Sequence, residues 1–170
     1  IAAELVREQV LAATDDELPF STAVTIDQFE EVATGRPTGR PKAAVHVHGG
    51  FPIKGAQDLA HQFDLRPGDT LFWFTDLGWM MGPWEIAGGL MLGATIMLFE
   101  GTPDFPEPDR TWKLVEEHGV TVLGIAPTAI RSLMTKGDHW PQNRDLSSLR
   151  VLGSTGETWN RDPWRWYFEK

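Results

Sequence analysis

Short apolar segments alternate with longer amphipathic segments along most of this chain, which is the pattern of strands that alternate with helices. Unbroken apolar runs with turn residues at their ends are typical of strands buried on both faces of a parallel sheet. Strands are predicted at 43–47, 70–75, 94–99, 120–125 and 149–152, and helices at 1–13, 55–63, 82–92, 110–118, 126–134 and 162–168. The order of these elements predicts an α/β fold, a layered sheet with helices on both faces.

Individual residues mark where some of these helices start and stop. Asp109 can cap the helix at 110–118, and Gly119 can close it. Pro127 suits the first turn of the next helix, where a missing amide donor does no harm. The helix at 82–92 carries small residues on one side, which lets another backbone approach closely.

The composition is that of one folded domain. With 170 residues, 41% of them hydrophobic and 23% charged, the chain can bury one sizeable core but not two comfortable ones. The net charge of −9 argues against a nucleic acid partner, although backbone amides and one lysine could still bind phosphate. No segment approaches the roughly 20 apolar residues of a membrane span. The absence of cysteine excludes disulfides and thiolate catalysis.

Two histidines, His46 and His48, point to the same face of the first predicted strand. Such a pair could bind a metal ion, but the sequence offers no third ligand nearby. We therefore predict that both histidines order the local structure, and we predict no metal site.

A loop rich in glycine and proline lies at 34–41, and Lys42 follows it. Backbone amides and a lysine in such a loop could wrap a polyphosphate. The residues alone equally fit a solvent-exposed loop, because the G-x-x-x-x-G-K-[ST] pattern of a P-loop is absent.

Three further segments, at 76–83, 126–131 and 153–158, each follow a predicted strand. Ligands of α/β sheets lie outside the carboxyl ends of the strands, so these positions suit a pocket. Each segment also has a purely structural interpretation: core packing for the first, a solvated helix residue for Arg131, and a plain turn for the last.

In this order, the segments resemble those of adenylate-forming (AMP-dependent) acyl-CoA synthetases, and most of all the acetyl-CoA synthetase branch. The matching strings are Thr38-Gly39-Arg40-Pro41-Lys42, Asp76-Leu77-Gly78-Trp79, Ala126-Pro127-Thr128-Ala129-Ile130-Arg131 and Gly153-Ser154-Thr155-Gly156-Glu157-Thr158. The resemblance covers 38–170. It implies that residues 1–170 are one incomplete α/β domain, a fragment of the large amino-terminal domain, with the carboxy-terminal domain absent.

The resemblance also implies a reaction and a set of site residues. A carboxylate and ATP, with Mg²⁺, would give an acyl-adenylate, and CoA would then displace AMP; no bound prosthetic group is expected. ATP or AMP would contact Thr38, Gly39, Lys42, Gly156, Glu157 and Thr158. The acyl group would contact Trp79, Met80, Met81 and Thr155. CoA would contact Ala126 and Arg131. No catalytic residue is assigned. A cytoplasmic location is expected, and a homo-oligomer is left open.

The chain departs from the family at the phosphate loop, where Gly35-Arg36-Pro37 replaces Ser-Gly-Thr and Ala43 replaces Gly. Pro37 removes a backbone donor. Either the loop is altered, or the sequence joins pieces across a missing stretch. Thr158 also replaces a family Pro.

The family's magnesium-binding Glu, ribose-binding Asp and adenylation Lys would lie beyond Lys170. Residues 1–170 alone are therefore expected to be inactive. The alternatives are a non-catalytic fragment and an adenylation domain that loads a carrier protein.

Overall fold

A computed structural model describes residues 22–25 and 44–169 of the chain. The helix predicted at 1–13 and the loop at 34–41 lie outside the described residues, as do three predicted ATP-binding residues, Thr38, Gly39 and Lys42.

The described residues form strands and helices in an order close to the predicted one. The strands are β1 (Thr22–Thr25), β2 (Ala44–Val47), β3 (Thr70–Trp73), β4 (Thr95–Ile96), β5 (Val122–Gly124) and β6 (Val151–Gly153). The helices are α1 (Phe51–Gln62), α2 (Met81–Met91), α3 (Arg110–His118), α4 (Pro127–Met134), α5 (His139–Gln142) and α6 (Arg161–Glu169). Within this part of the chain, no helix is long and apolar enough to cross a membrane.

Four of the strands form one parallel sheet in the order β4-β3-β5-β6, and β1 and β2 form a separate antiparallel pair. The register places Trp73 of β3 opposite Gly124 of β5, and Gly124 opposite Gly153 of β6. The runs at 94–99, 120–125 and 149–152 each contribute a strand to this sheet, which confirms the predicted fold class. The strands are shorter than predicted.

Apolar side chains alternate between two cores, one on each face of the sheet. Leu71 and Trp73 of β3 pack into a cluster that includes Leu59 of α1 and Trp84 of α2. Phe72 points to the other face, where the second cluster is formed with residues of α3, α4 and α6: Trp112, Val115, Ile130, Leu133, Trp166 and Tyr167. Helices therefore cover both faces, as a buried parallel sheet requires.

Helices α1 and α2 touch through glycine, as the small residues at 82–92 predicted. A Cβ atom added to Gly88 would lie 2.6 Å from the carbonyl carbon of Gly55 and 2.8 Å from its oxygen. Backbone atoms cannot yield as a flexible side chain can, so this crossing depends on the absence of a side chain at 88.

The indole of Trp73 lies across the ends of two neighbouring strands. A Cβ atom on Gly124 would overlap the Trp73 ring, and one on Gly153 would lie 3.0 Å from that ring and 2.6 Å from the Phe63 ring. Phe63 and Trp84 contact the indole edge-on, with ring centroids 5.3 and 5.0 Å away. The two glycines thus make room for an aromatic cluster beneath the carboxyl edge of the sheet.

Two helix ends differ from the prediction. Helix α1 begins at Phe51 instead of 55, because Pro52 fits its first turn. Asp109 stands at the N-cap of α3 but makes no capping hydrogen bond with its side chain. Its carboxylate is instead bound by the guanidinium of Arg144, with Nε 3.1 Å away. The prediction for Gly119 is confirmed, since it closes α3 in the left-handed region at φ 58°.

Candidate functional site

Strands β3, β5 and β6 run parallel, so the segments that follow them meet at one edge of the sheet. These are the three segments, 76–83, 126–131 and 153–158, that the sequence indicated as ligand sites. Since neighbouring strands are about 4.8 Å apart, the first and last segments leave the sheet about 10 Å from each other. The second segment lies between them.

The segment after β3 is a tight turn that presents apolar side chains. Asp76 Oδ1 accepts a hydrogen bond of 2.6 Å from the Gly78 amide, and the Asp76 carbonyl accepts one of 3.0 Å from Trp79. The Trp79 side chain is 65% exposed, and Met80 is also exposed. Both side chains are therefore available to a ligand at this edge. A largely exposed indole is unusual in a protein surface that has no partner, which also favours a ligand contact.

Met81 differs from its two neighbours. It begins α2, is half-buried, and packs against the core cluster around Leu59 and Trp84. The position of Met81 fits the core-packing interpretation of this segment better than the positions of Trp79 and Met80 do. A contact with an acyl group stays a prediction for all three.

The segment after β6 is fastened to the start of α4 by one carboxylate. Glu157 Oε1 accepts a hydrogen bond of 2.8 Å from the Thr128 amide and a second bond from the Thr128 hydroxyl. Glu157 Oε2 pairs with Arg131. Arg131 also donates to the Thr128 hydroxyl at 2.9 Å and to Asn160 Oδ1 at 3.2 Å. We call Thr128, Arg131, Glu157 and Asn160 the Glu157 cluster.

The Glu157 cluster is an N-terminal cap supplied from another strand. Ala126 stands at the N-cap of α4 and has no side chain that could accept a hydrogen bond. Glu157 supplies that acceptor, and its negative charge also suits the positive end of the helix dipole. The hydrogen bond from the Thr128 hydroxyl is the main reason that the pKa of Glu157 lies below its ordinary value, and Arg131 lowers it further.

The structure thus brings the predicted CoA residues Ala126 and Arg131 next to the predicted adenine residues. Glu157 and Arg131 are bound to each other. Gly156 has φ 102°, in the left-handed region, and a Cβ atom there would meet no described residue within 4 Å other than its chain neighbours. Thr155 and Thr158, which flank Gly156 and Glu157 in the sequence, are also exposed. Beneath them, the Ser154 hydroxyl oxygen is buried and has no hydrogen-bond partner within the part of the chain that the structure describes.

A buried acid, Glu85, was not singled out from the sequence. It lies on α2, is 1% exposed, and accepts a hydrogen bond of 3.1 Å from the Trp73 amide. Burial raises its pKa to about 8, although the Trp73 amide opposes this. Strand β4 ends at Ile96, so Glu85 supplies the acceptor that a longer strand would have given to Trp73. The available signal was a single acid within the apolar stretch 82–92.

An apolar cavity of about 340 Å³ lies beside the same edge, between the end of β2, the start of α1 and the first turns of α2. Its walls include His46 and Leu77, and the His46 ring packs 4.9 Å from that of Phe51. Among residues 22–25 and 44–169, no group of three His, Cys, Asp or Glu side chains could hold a metal ion. The sequence did not predict this cavity.

A parallel α/β sheet whose loops gather at its carboxyl edge defines a class of ligand-binding domains. The sequence pattern of one family, described as "AMP-binding enzyme", matches residues 34–170. The chain therefore belongs to the AMP-binding enzyme family, which confirms the resemblance described above.

Curated relatives agree with this placement. The chain is 46% identical over 138 residues to "Acetyl-coenzyme A synthetase" of Phycomyces blakesleeanus, covering 81% of the chain and 20% of the relative. It is 47% identical over 136 residues to the protein of the same name from Streptomyces coelicolor, covering 79% and 21%. The chain thus spans about a fifth of the length of these relatives.

A solved structure shares the fold. "Acetoacetyl-CoA Synthetase from Streptomyces lividans" superimposes with a TM-score of 0.71 at 36% sequence identity. The match covers 78% of the chain and 20% of that protein.

Proposed function

We propose that this chain is part of an AMP-forming acyl-CoA synthetase, an acid–thiol ligase. The enzyme would activate a carboxylate with ATP to an acyl-adenylate, and CoA would then displace AMP. One observation carries the proposal: the three family segments meet at a single sheet edge, in a chain 46% identical to an acetyl-coenzyme A synthetase. Acyl transfer from an adenylate needs the carboxyl carbon beside the α-phosphate, so nucleotide and acyl walls must share one crevice.

The residues of this edge divide between the two substrates in a simple way. Trp79, Met80, Met81 and Thr155 would form the acyl wall, and Trp79 and Met80 are its exposed large apolar side chains. The backbone from Gly156 to Thr158 would contact adenine, at about 10 Å from the segment that carries Trp79, because the two segments follow strands that are two positions apart in the sheet. Thr38, Gly39 and Lys42 would contact the phosphates, and ATP would enter as its Mg²⁺ complex. Catalysis in such a site is mostly positioning and stabilisation of developing charge.

Residues 1–170 would then be one incomplete domain of a longer enzyme. We expect them to be inactive alone, because each preorganised charge-stabilising group that is missing typically costs about 100-fold or more in rate. The acetyl-CoA and acetoacetyl-CoA synthetase relatives favour a CoA ligase over a domain that loads a carrier protein. A cytoplasmic location and a homo-oligomeric state stay predictions from the resemblance.

The test is carboxylate-dependent ATP–pyrophosphate exchange by the intact protein that contains this chain, followed by thioester formation after CoA is added. We expect both reactions with a small carboxylate, and neither reaction when the carboxylate is omitted. The carboxylates to be tried have about two to eight carbons. An intact protein that forms no adenylate with any of them would contradict the proposal.

A further inference from the structure

We propose that Arg131 is a positioning residue, which fixes the predicted adenine-contacting segment by locking Glu157 onto the start of α4. The inference rests on the proposed function, since it concerns the same site. It assigns Arg131 a role different from the CoA contact that the resemblance implied.

Both oxygens of the Glu157 carboxylate are bound. Oε1 takes the amide and the hydroxyl of Thr128, and Oε2 takes the Arg131 guanidinium. The two bonds from Thr128 set where the carboxylate sits, and Arg131 prevents it from rotating away. A charge-assisted contact of this kind is both stronger and more directional than one between neutral groups.

Arg131 holds the segment 157–160 at two points. One terminal nitrogen binds Glu157, and the other donates to Asn160 Oδ1 at 3.2 Å. Asn160 leads directly into α6, and its carbonyl accepts the Trp164 amide of that helix at 3.2 Å. The guanidinium therefore joins α4 to both ends of the stretch 157–160.

The backbone just before Glu157 has little other support from the residues that the structure describes. Gly156 adopts φ 102°, and apart from its two chain neighbours no described residue has a heavy atom within 4 Å of the place where its Cβ would be. Residues 155–158 are all exposed. Packing resumes at Trp159, whose ring stacks on that of Tyr167. Within 155–158, the side chain that ties the backbone to other described residues is that of Glu157. Losing the lock should therefore move the nucleotide contacts first.

A direct contact between Arg131 and CoA would require different geometry. Three of the five N–H donors of the guanidinium bind Glu157, Thr128 and Asn160, and the Glu157 carboxylate neutralises its charge. A CoA phosphate that took the same three donors would break these bonds. The lock and the direct contact predict different kinetic effects.

The experiment is a double-mutant cycle in the intact enzyme, with Arg131→Gln, Glu157→Gln and the double variant. Exchange of ATP with pyrophosphate gives the KM for ATP, and single-turnover transfer from preformed acyl-adenylate gives the CoA dependence. We expect each single variant to raise the KM for ATP about 10-fold, well below the roughly 100-fold that a 1 Å misplacement can cost. The double variant should be no worse than the poorer single one, because both remove the same contact.

The CoA dependence should be unchanged in all three variants, which separates the lock from a direct CoA contact. Arg165→Gln is the matched control, since it removes an exposed pairing between an arginine and Glu169 on α6. It should leave both measurements unchanged. Arg131→Lys keeps the charge but not the two-point geometry, and should fall between the wild type and Arg131→Gln.

The proposal is overturned if Arg131→Gln raises only the CoA requirement, or if the effects of the two single variants multiply in the double variant. It is also overturned if the variants lose thermal stability while the active fraction keeps its KM for ATP. A wild-type enzyme that catalyses no exchange would instead refute the proposed function. The two failures are therefore distinguishable.

Discussion

Glu85 makes the stability of this fold depend on pH in a direction opposite to that of most carboxylates. Its side chain is 1% exposed, and burial raises its pKa from 4.5 to about 8. In the unfolded chain the carboxyl would ionise near its ordinary pKa. Between these two values the folded state therefore carries one proton more than the unfolded state, so stability falls as the pH rises.

The magnitude follows from the two pKa values. Each pKa unit is worth about 1.4 kcal/mol, so the interval from 4.5 to about 8 corresponds to at most about 5 kcal/mol. We expect about 2 to 3 kcal/mol, because buried sites relax and admit water when a charge appears. This contribution is complete below about pH 4.5 and is lost as the pH rises through about 8.

The perturbation is Glu85→Gln, which cannot ionise but keeps an oxygen for the Trp73 amide. At pH 5 the variant should be less stable by about 1 kcal/mol, because a buried amide brings an extra donor that needs a partner. Near pH 9 the Glu85→Gln variant should instead be more stable than the wild type by about 1 to 2 kcal/mol, since only the wild type then buries a charge.

The assay is denaturant unfolding of the intact protein from pH 5 to 9, followed by tryptophan fluorescence. Trp73 and Trp84 lie in the same core cluster, so their emission reports on this part of the fold. Glu117→Gln, on the exposed face of α3, is the control and should change stability by less than about 0.5 kcal/mol at any pH. Parallel wild-type and Glu85→Gln curves across this range would refute the reasoning.

Three further predictions concern glycines and the exposed edge. Gly88→Val should destabilise the protein by about 2 to 4 kcal/mol in denaturant unfolding, because its Cβ would meet the Gly55 backbone. Gly124→Ala should cost about 1 to 3 kcal/mol in the same assay, because it displaces the Trp73 ring. Trp79→Ala should leave the unfolding curve unchanged within about 0.5 kcal/mol but raise the KM for the carboxylate in ATP–pyrophosphate exchange.

Gly49→Ala is the control for both glycine predictions, since a Cβ atom there meets nothing within 4 Å among residues 22–25 and 44–169 apart from its chain neighbours. Either glycine prediction is wrong if its variant is as stable as Gly49→Ala. An unchanged carboxylate KM in Trp79→Ala would remove Trp79 from the acyl wall while leaving the fold untouched.

The parts of the structure that the sequence predicted are those with local causes. Apolar runs, turn residues and the left-handed closure at Gly119 depend on neighbours along the chain. The gathering of three loops at one edge followed from parallel strands, which the apolar runs also indicated.

The parts that the sequence did not predict depend on contacts between distant residues. Asp109 was expected to cap its own helix, but Arg144, 35 residues away, binds its carboxylate instead. Glu157 reaches Thr128 across 29 residues, and spacing along the chain carries no trace of that contact. Glu85 was overlooked because burial, not residue type, is what raises its pKa.

The indole of Trp73 has a consequence for anyone who wishes to re-engineer this domain. The three strands that lead to the candidate site end at Trp73, Gly124 and Gly153, and these three residues stand side by side in the sheet. Variants in which only the loops are changed keep the packing of the Trp73 indole beneath the site. Variants in which Gly124 or Gly153 alone is changed lose this packing, because a side chain on either glycine needs the space that the indole fills. The three positions should be exchanged as a set, with a smaller residue at 73 accompanying any larger one at 124 or 153.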